Sequence, residues 1–380
     1  MRTPSEANGA TTTADTENPE YLTRQLITCI GNKRALLPFI GEAVERVRAR
    51  LGNGPLSFFD AFSGSGIVSR YLRRYARLVV ANDLEAYAGA ISRCYLANGE
   101  DVDTSEFRAI HESIARALAE GPLEPGFVSE LYAPASDDSI RPGERAFFTA
   151  RNARFIDTAL ARIAEAPARW RDFLVAPLVA EASIHANTSG VFKGFYKDAK
   201  TGIGRFGGGK GDSLSRILGD ISLPFPVTSA FPVESIVLSG DANESCLLAP
   251  ECDVAYLDPP YNQHPYGSNY FMLNLIAAGE RPASVSAVSG IPRDWNRSAY
   301  NRRSEAARAL GELAERVRAK FLVVSFNSEG FIPRDEMEAL LSRVGKVESV
   351  ETRYNAFRGS RNLRSRALHL SEYVFIVEKR

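Results

Sequence analysis

Val254-Ala255-Tyr256-Leu257-Asp258-Pro259-Pro260-Tyr261 decides the fold. The first four residues are apolar-rich and read as a short buried strand. Two consecutive prolines cannot continue a central strand, so the strand stops there and the backbone stiffens. The result is a carboxylate, Asp258, and an aromatic ring, Tyr261, on a rigid corner at the carboxyl end of a strand. In open α/β sheets ligands bind at that edge. An acceptor, a free carbonyl and a stacking ring side by side suit a planar exocyclic amine on a flat base. Such a segment is also ordinary loop punctuation, with Asp258 capping the next element.

The neighbouring pattern repeats the strand-then-acid arrangement. Leu56-Ser57-Phe58-Phe59-Asp60 runs into Ala61-Phe62-Ser63-Gly64-Ser65-Gly66, and a helix follows with Ile67, Val68, Tyr71, Leu72 and Tyr75 on one face. This is the strand, glycine loop and helix unit of a Rossmann-like α/β fold. The acid before the glycines would repel a pyrophosphate and suits a cationic ligand. Leu78-Val79-Val80-Ala81-Asn82-Asp83 is a second strand ending in an acid, placed to bind ribose hydroxyls. Ser235 to Asp241 is a third, and Phe321 to Asn327 another buried strand, while Tyr373–Val377 is expected to close the sheet. Before the glycine loop, Ile30-Gly31-Asn32-Lys33 precedes a helical pattern at Leu36, Leu37, Ile40, Val44 and Val47. Lys33 is there either solvated or paired with an anionic ligand group.

Composition narrows the class. The chain has 380 residues, 44% hydrophobic content and zero formal net charge. The length prior is roughly two domains. A neutral chain does not coat nucleic acid non-specifically, so any basic surface is local. Cys29, Cys94, Cys246 and Cys252 form no C-x-x-C pair and read as free thiols, with no zinc site; no metal is expected. No apolar run approaches the roughly 18 residues of a membrane span, and no basic-then-apolar signal opens the chain. The expected compartment is the cytoplasm, without membrane association.

Residues 1–18 lack large apolar side chains and are expected to form a disordered tail. Residues 87–235 interrupt the strand pattern with helices near 87–97, 104–119, 145–166 and 170–186, and Pro- and Gly-rich loops near 121–143. Gly190 to Arg216 interleaves glycines, aromatics and basic residues, among them Lys193, Lys197, Arg205 and Lys210. It reads as a loop set that grips phosphates and stacks on bases, or as a mobile surface loop. Gly202-Ile203-Gly204-Arg205-Phe206-Gly207 matches a dinucleotide fingerprint but follows no strand, so it is discounted. Residues 291–303, with Arg297, and the cluster holding Arg358, Arg361 and Arg364 suit nucleic-acid-facing loops, or a solvated hairpin in the second case.

Taken in order, these motifs resemble the Dam-type family of adenine-specific DNA methyltransferases over most of residues 22–378. The carriers are Ile30 to Lys33, Asp60 to Gly66, Asp83, Asp241, Asp258-Pro259-Pro260-Tyr261 and Ser325-Phe326-Asn327. Asp258-Pro259-Pro260-Tyr261-Asn262, the later Tyr266 and Tyr270, Phe192 to Tyr196 and Arg358 to Asn362 look like the branch that modifies short asymmetric sites. Cys29 stands where the family more often has an aromatic, and Ser325-Phe326 replaces a commoner Ser-Tyr. The resemblance implies a Rossmann-like, S-adenosylmethionine-dependent methyltransferase fold from 19–86 and 236–380, with a largely helical target-recognition insert at 87–235. It implies that Lys33 and Asp60 flank the methionine end of the cofactor, Phe62, Ser63, Gly64 and Gly66 cradle it, Asp83 holds its ribose and Asp241 contacts its adenine. Asp258, Pro259, Pro260 and Tyr261 would act on a flipped adenine of double-stranded DNA, in an enzyme that can accompany a cognate restriction endonuclease. Two rivals are a methyltransferase for another amine and a catalytically silent DNA-binding relative.

Overall fold

A computed structural model describes residues 17–24, 26–208, 213–355 and 369–380. Its centre is a seven-stranded sheet. In chain order the strands are β1 (Leu56–Asp60), β2 (Ala76–Asp83), β3 (Glu234–Ser239), β4 (Cys252–Leu257), β5 (Ala319–Asn327), β6 (Gly345–Asn355) and β7 (His369–Lys379). Their spatial order is β3-β2-β1-β4-β5-β7-β6. The first five are parallel, whereas β7 runs antiparallel to both β5 and β6. The expectation that Tyr373–Val377 closes the sheet is corrected here: β7 lies inside it and β6 is the edge. An apolar run specifies a buried strand but not its neighbours, so the order was open.

Alternation along each strand supplies two cores. Phe58, Val254, Val323 and Ile376 face the Leu37–Arg50 and Ile67–Leu72 helices. Phe59, Ala255, Val324 and Val377 face the helices Ala242–Leu248, Arg303–Arg316 and Arg334–Ser342. Because β1 to β5 are parallel, their carboxyl ends share one edge. The chain leaves β1 toward β2 on one side, and β4 lies on the other, which opens a crevice at that edge. The antiparallel β7 brings its amino end, with Glu372, to the same edge opposite Asn327 of β5.

A helical layer shares a third core with the sheet side. Phe107, Phe147, Trp170 and Leu174 pack in one cluster with Tyr270, Phe271 and Ile276, which follow the Asp-Pro-Pro-Tyr corner in sequence. The Ala86–Tyr95 helix packs on β2 and β3 and also on the Ala168–His185 helix. This helix, which spans the boundary expected at residue 87, thus packs in both layers. At the other end of the chain, residues 1–16 of the expected tail lie outside the described residues, but Glu17 and Asn18 are held. Glu17 accepts from the Ser229 hydroxyl at 2.6 Å and the Ala230 amide at 2.8 Å, and Asn18 caps the Pro19–Thr23 helix. The Phe127–Tyr132 helix stands where loop was expected. Its first amides at Gly126, Val128 and Ser129 all donate to Asp157, at 2.8 Å each, so a distant carboxylate supplies its cap.

Candidate active site

One cleft of about 960 Å³, open mouth included, runs along the carboxyl edge of β1 to β4. Asp258, Pro259, Pro260 and Tyr261 line one end; Phe62, Ser63, Gly64, Asp83 and Asp241 line the other, with Lys33 also in the wall. The glycine loop is built as its residues require. Gly64 has φ +51° and Gly66 φ +71°, a region L side chains avoid. A Cβ built on Gly64 meets nothing nearer than the Phe62 carbonyl at 4.0 Å, so the space before it is open. Asp83 ties the loop to β2 by accepting from the Gly64 amide at 2.8 Å and the Glu85 amide at 2.9 Å. Asp241 lines the cleft while capping the Ala242–Leu248 helix through the Asn243 amide at 2.9 Å.

Two expected cofactor residues, Asp60 and Gly66, do not themselves line the cleft. Asp60 is 1% exposed, and its carboxylate turns beneath the loop to accept from Ser69 at 2.5 Å, off the cleft wall. Burial pushes its carboxyl up to about 7, which the Ser69 hydrogen bond opposes. Gly66 also lies behind the wall, against Ile91, where a Cβ would come within 3.3 Å of the Ile91 side chain. The two anchor the loop from behind.

At the other end, Lys33 has an environment that spacing in the chain did not show. It is buried, with Nζ 3.2 Å from Asp258 Oδ1 and 2.5 Å from Glu372 Oε1. Burial works against its charge, but the two carboxylates hold it protonated well above the ordinary lysine range. Burial pushes the Asp258 carboxyl up to about 6; Lys33 lowers it and Glu372 raises it. Nζ also stands 5.4 Å from the Tyr261 ring centroid. Phe326 props that ring edge-on, with centroids 5.7 Å apart, and the Tyr261 carbonyl accepts from the Phe331 amide at 2.9 Å. Thus Ser325-Phe326-Asn327 supports the corner from β5.

The turn carrying Lys33 is clamped to the corner. The Tyr266 hydroxyl donates to the Ile30 carbonyl at 2.6 Å, and the Ile30 amide donates to the Tyr270 hydroxyl at 2.7 Å. Gly31, at φ +77°, presses against the Tyr261 and Tyr266 hydroxyls. Sequence reasoning also missed Glu85 and Asn296, which line the cleft together. Glu85 accepts from Asn274 at 2.5 Å and Asn296 at 3.1 Å, and burial raises its carboxyl to about 7. An acid two residues beyond Asp83 was a local signal for it; Asn296 had none.

Of the expected DNA contacts, Lys193, Lys197, Arg205 and Arg297 lie among the described residues. Phe192 donates its amide to the Asn269 carbonyl at 2.7 Å, which docks the turn bearing exposed Lys193 beside a separate small hollow lined by Tyr266, His264 and Asn269. Lys197 lies over the Phe195 ring at 4.9 Å, and Arg297 over Trp295 at 4.6 Å. Arg205 commits its guanidinium to the Gly207 and Gly208 carbonyls at 3.2 and 2.8 Å, bracing its own loop. Lys210, Arg358, Arg361 and Arg364 lie outside the described residues. Among the described residues no helix is long and apolar enough to cross a membrane.

A five-stranded parallel run with an added antiparallel strand, a glycine loop after β1 and Asp-Pro-Pro-Tyr after β4 together define a methyltransferase-type α/β fold. The family model for D12 class N6 adenine-specific DNA methyltransferases matches residues 30–129 and 230–338. The chain belongs to that family and is a site-specific adenine DNA methyltransferase. It is 29% identical to Type II methyltransferase M.CviAII of Paramecium bursaria Chlorella virus 1, over 92% of this chain and 97% of that protein. It is 28% identical to Type II methyltransferase M.NlaIII of Neisseria lactamica, over 85% and 90%. Type II methyltransferase M.FokI of Planomicrobium okeanokoites is 26% identical over 92% of this chain, which spans 52% of that protein.

Proposed function

We propose that the cleft takes S-adenosylmethionine at its glycine-loop end and a flipped adenine at its Asp258 end. The observation that carries the reading is the single cleft itself, which joins the open space before Gly64 to the Asp258–Tyr261 corner. The lining fits that cofactor: Phe62 and Ile67 offer apolar surface, and Asp83 and Asp241 offer acceptors for hydroxyl and amino groups. When bound, the cofactor supplies an electrophilic sulfonium methyl. Asp258 and the Pro259 carbonyl accept the hydrogens of the adenine amine and aim its nitrogen. Tyr261, propped by Phe326, stacks on the base. Flipping costs a few kcal/mol of unstacking. Orientation and placed acceptors then account for most of the rate.

The helical segment between the Ala86–Tyr95 helix and β3 serves as the target-recognition region in this reading, with Lys193, Lys197 and Arg297 facing DNA. The Type II names of the relatives support a partner restriction endonuclease that cuts the unmethylated site. Titration calorimetry of Gly64→Val with S-adenosylmethionine tests the cofactor end. A branched side chain at φ +51° is strained and fills the open space, so affinity should fall strongly. Unchanged affinity would move the cofactor out of this loop.

A further inference from the structure

Glu372 is 0% exposed, on β7, in a row with the buried apolar side chains Val374 and Ile376. Packing does not explain an acid in that row. Its Oε1 accepts from Lys33 at 2.5 Å and from the Ser325 hydroxyl at 2.9 Å, while Oε2 has no hydrogen-bond partner. A buried carboxylate with an unsatisfied oxygen costs stability. Lys33 makes its shorter contact with Glu372. Asp258 Oδ1 stays within ion-pair reach of the ammonium yet accepts no hydrogen bond.

We propose that Glu372 is a positioning residue for methyl transfer, holding Lys33 partly away from Asp258 so that the Asp258 carboxylate remains a strong acceptor for the adenine amine. The inference rests on the reading of Asp258 as that acceptor. Without Glu372 the Lys33 ammonium would belong to Asp258 alone, and a carboxylate fully paired with an ammonium is a weaker acceptor. The groups facing this cluster are Cys29 and Lys33 from the segment before the first sheet helix, Asp60 of β1, Tyr256 of β4, Tyr261 of the corner, Tyr266 of the following helix and Glu372 of β7. Besides burial, Lys33 and Glu372 govern the ionisation of Asp258, in opposite directions.

The test is the pH profile of kcat for Glu372→Gln and Ser325→Ala, with cofactor and DNA saturating. Glutamine still accepts from Lys33 and Ser325 but carries no charge. Its kcat should fall about tenfold, the change equivalent to one pKa unit. The acidic limb set by Asp258 should move to lower pH because a like charge has gone, and the KM for cofactor should hold. Ser325→Ala removes the hydroxyl that shares Oε1, so Glu372 draws Lys33 closer and Asp258 loses part of its cation. That limb should move to higher pH. Opposite movements support the inference. An unmoved limb in both variants, whatever the melting temperatures, overturns it; if Glu372→Gln cannot be recovered folded, Ser325→Ala decides alone. Asp258→Ala, assayed alongside, separates the two readings: full turnover there removes the Asp258 role itself, whereas a dead Asp258→Ala beside unmoved limbs removes only Glu372.

Discussion

Replacing Gly31 with alanine should damage catalysis by moving the Tyr261 ring. At φ +77° an L side chain costs about 1–2 kcal/mol. The new Cβ would stand 3.0 Å from the Tyr261 hydroxyl and 3.1 Å from the Tyr266 hydroxyl, where ordinary contact begins at 3.4 Å. Tyr266 cannot yield without losing its bond to the Ile30 carbonyl, worth about 1 kcal/mol. The stability cost is therefore the strain at that φ, about 1–2 kcal/mol. Tyr261 gives way instead by a few tenths of an ångström. A misplacement of about 1 Å costs roughly a hundredfold in rate, so a shift of this size should cost about three- to tenfold. Initial rates of labelled methyl transfer into DNA, beside a thermal melt, read both effects. Wild-type rate together with a wild-type melting temperature would refute the idea that the Gly31 turn sets the position of the Tyr261 ring.

Two further outcomes follow from the same geometry. Burial raises the Glu85 carboxyl from 4.5 to about 7, so its folded value lies above its unfolded one. Stability from this group is full below about pH 4.5 and is lost as pH rises through about 7, by about 3 kcal/mol. The Glu85→Gln protein should therefore lose less melting temperature than wild type between about pH 5 and pH 8; parallel curves would contradict the assignment. Lys197→Ala and Arg297→Ala should each reduce the slope of log DNA affinity against log salt by about one if they neutralise phosphates. Unchanged slopes would place both side chains off the DNA path.

The strands and their terminal acids were legible because parallel strands buried on both faces must be apolar throughout and stop where a turn residue forces them. Phe58-Phe59-Asp60 and Tyr256-Leu257-Asp258 carry both signals within a few residues. The insertion of β7 between β5 and β6 was not legible, because Tyr373 to Val377 would read the same at an edge. Neither was the company kept by Lys33. Its partners Asp258 and Glu372 come from the far half of the chain, and only the antiparallel course of β7 brings Glu372 to the active edge. Asp60 shows the converse case. An acid before a glycine loop was read as facing the ligand, yet the Ser69 hydroxyl captures it from behind. The Phe127–Tyr132 helix was missed because its cap, Asp157, lies on another helix and leaves no mark in the local sequence.

In the proposed mechanism Asp258, at the end of β4, orients an adenine amine for methylation while the glycine loop holds the cofactor independently. The most direct test of that mechanism compares wild type and Asp258→Ala at matched S-adenosylmethionine occupancy, with the product DNA digested to nucleosides and analysed by mass spectrometry. Wild type should yield N6-methyldeoxyadenosine. The variant should bind cofactor with near-normal affinity and form that product at least about a hundredfold more slowly, the scale of losing a contact made to the reacting group. Near-normal formation of N6-methyldeoxyadenosine by Asp258→Ala, or a methylated cytosine as the wild-type product, would contradict the account.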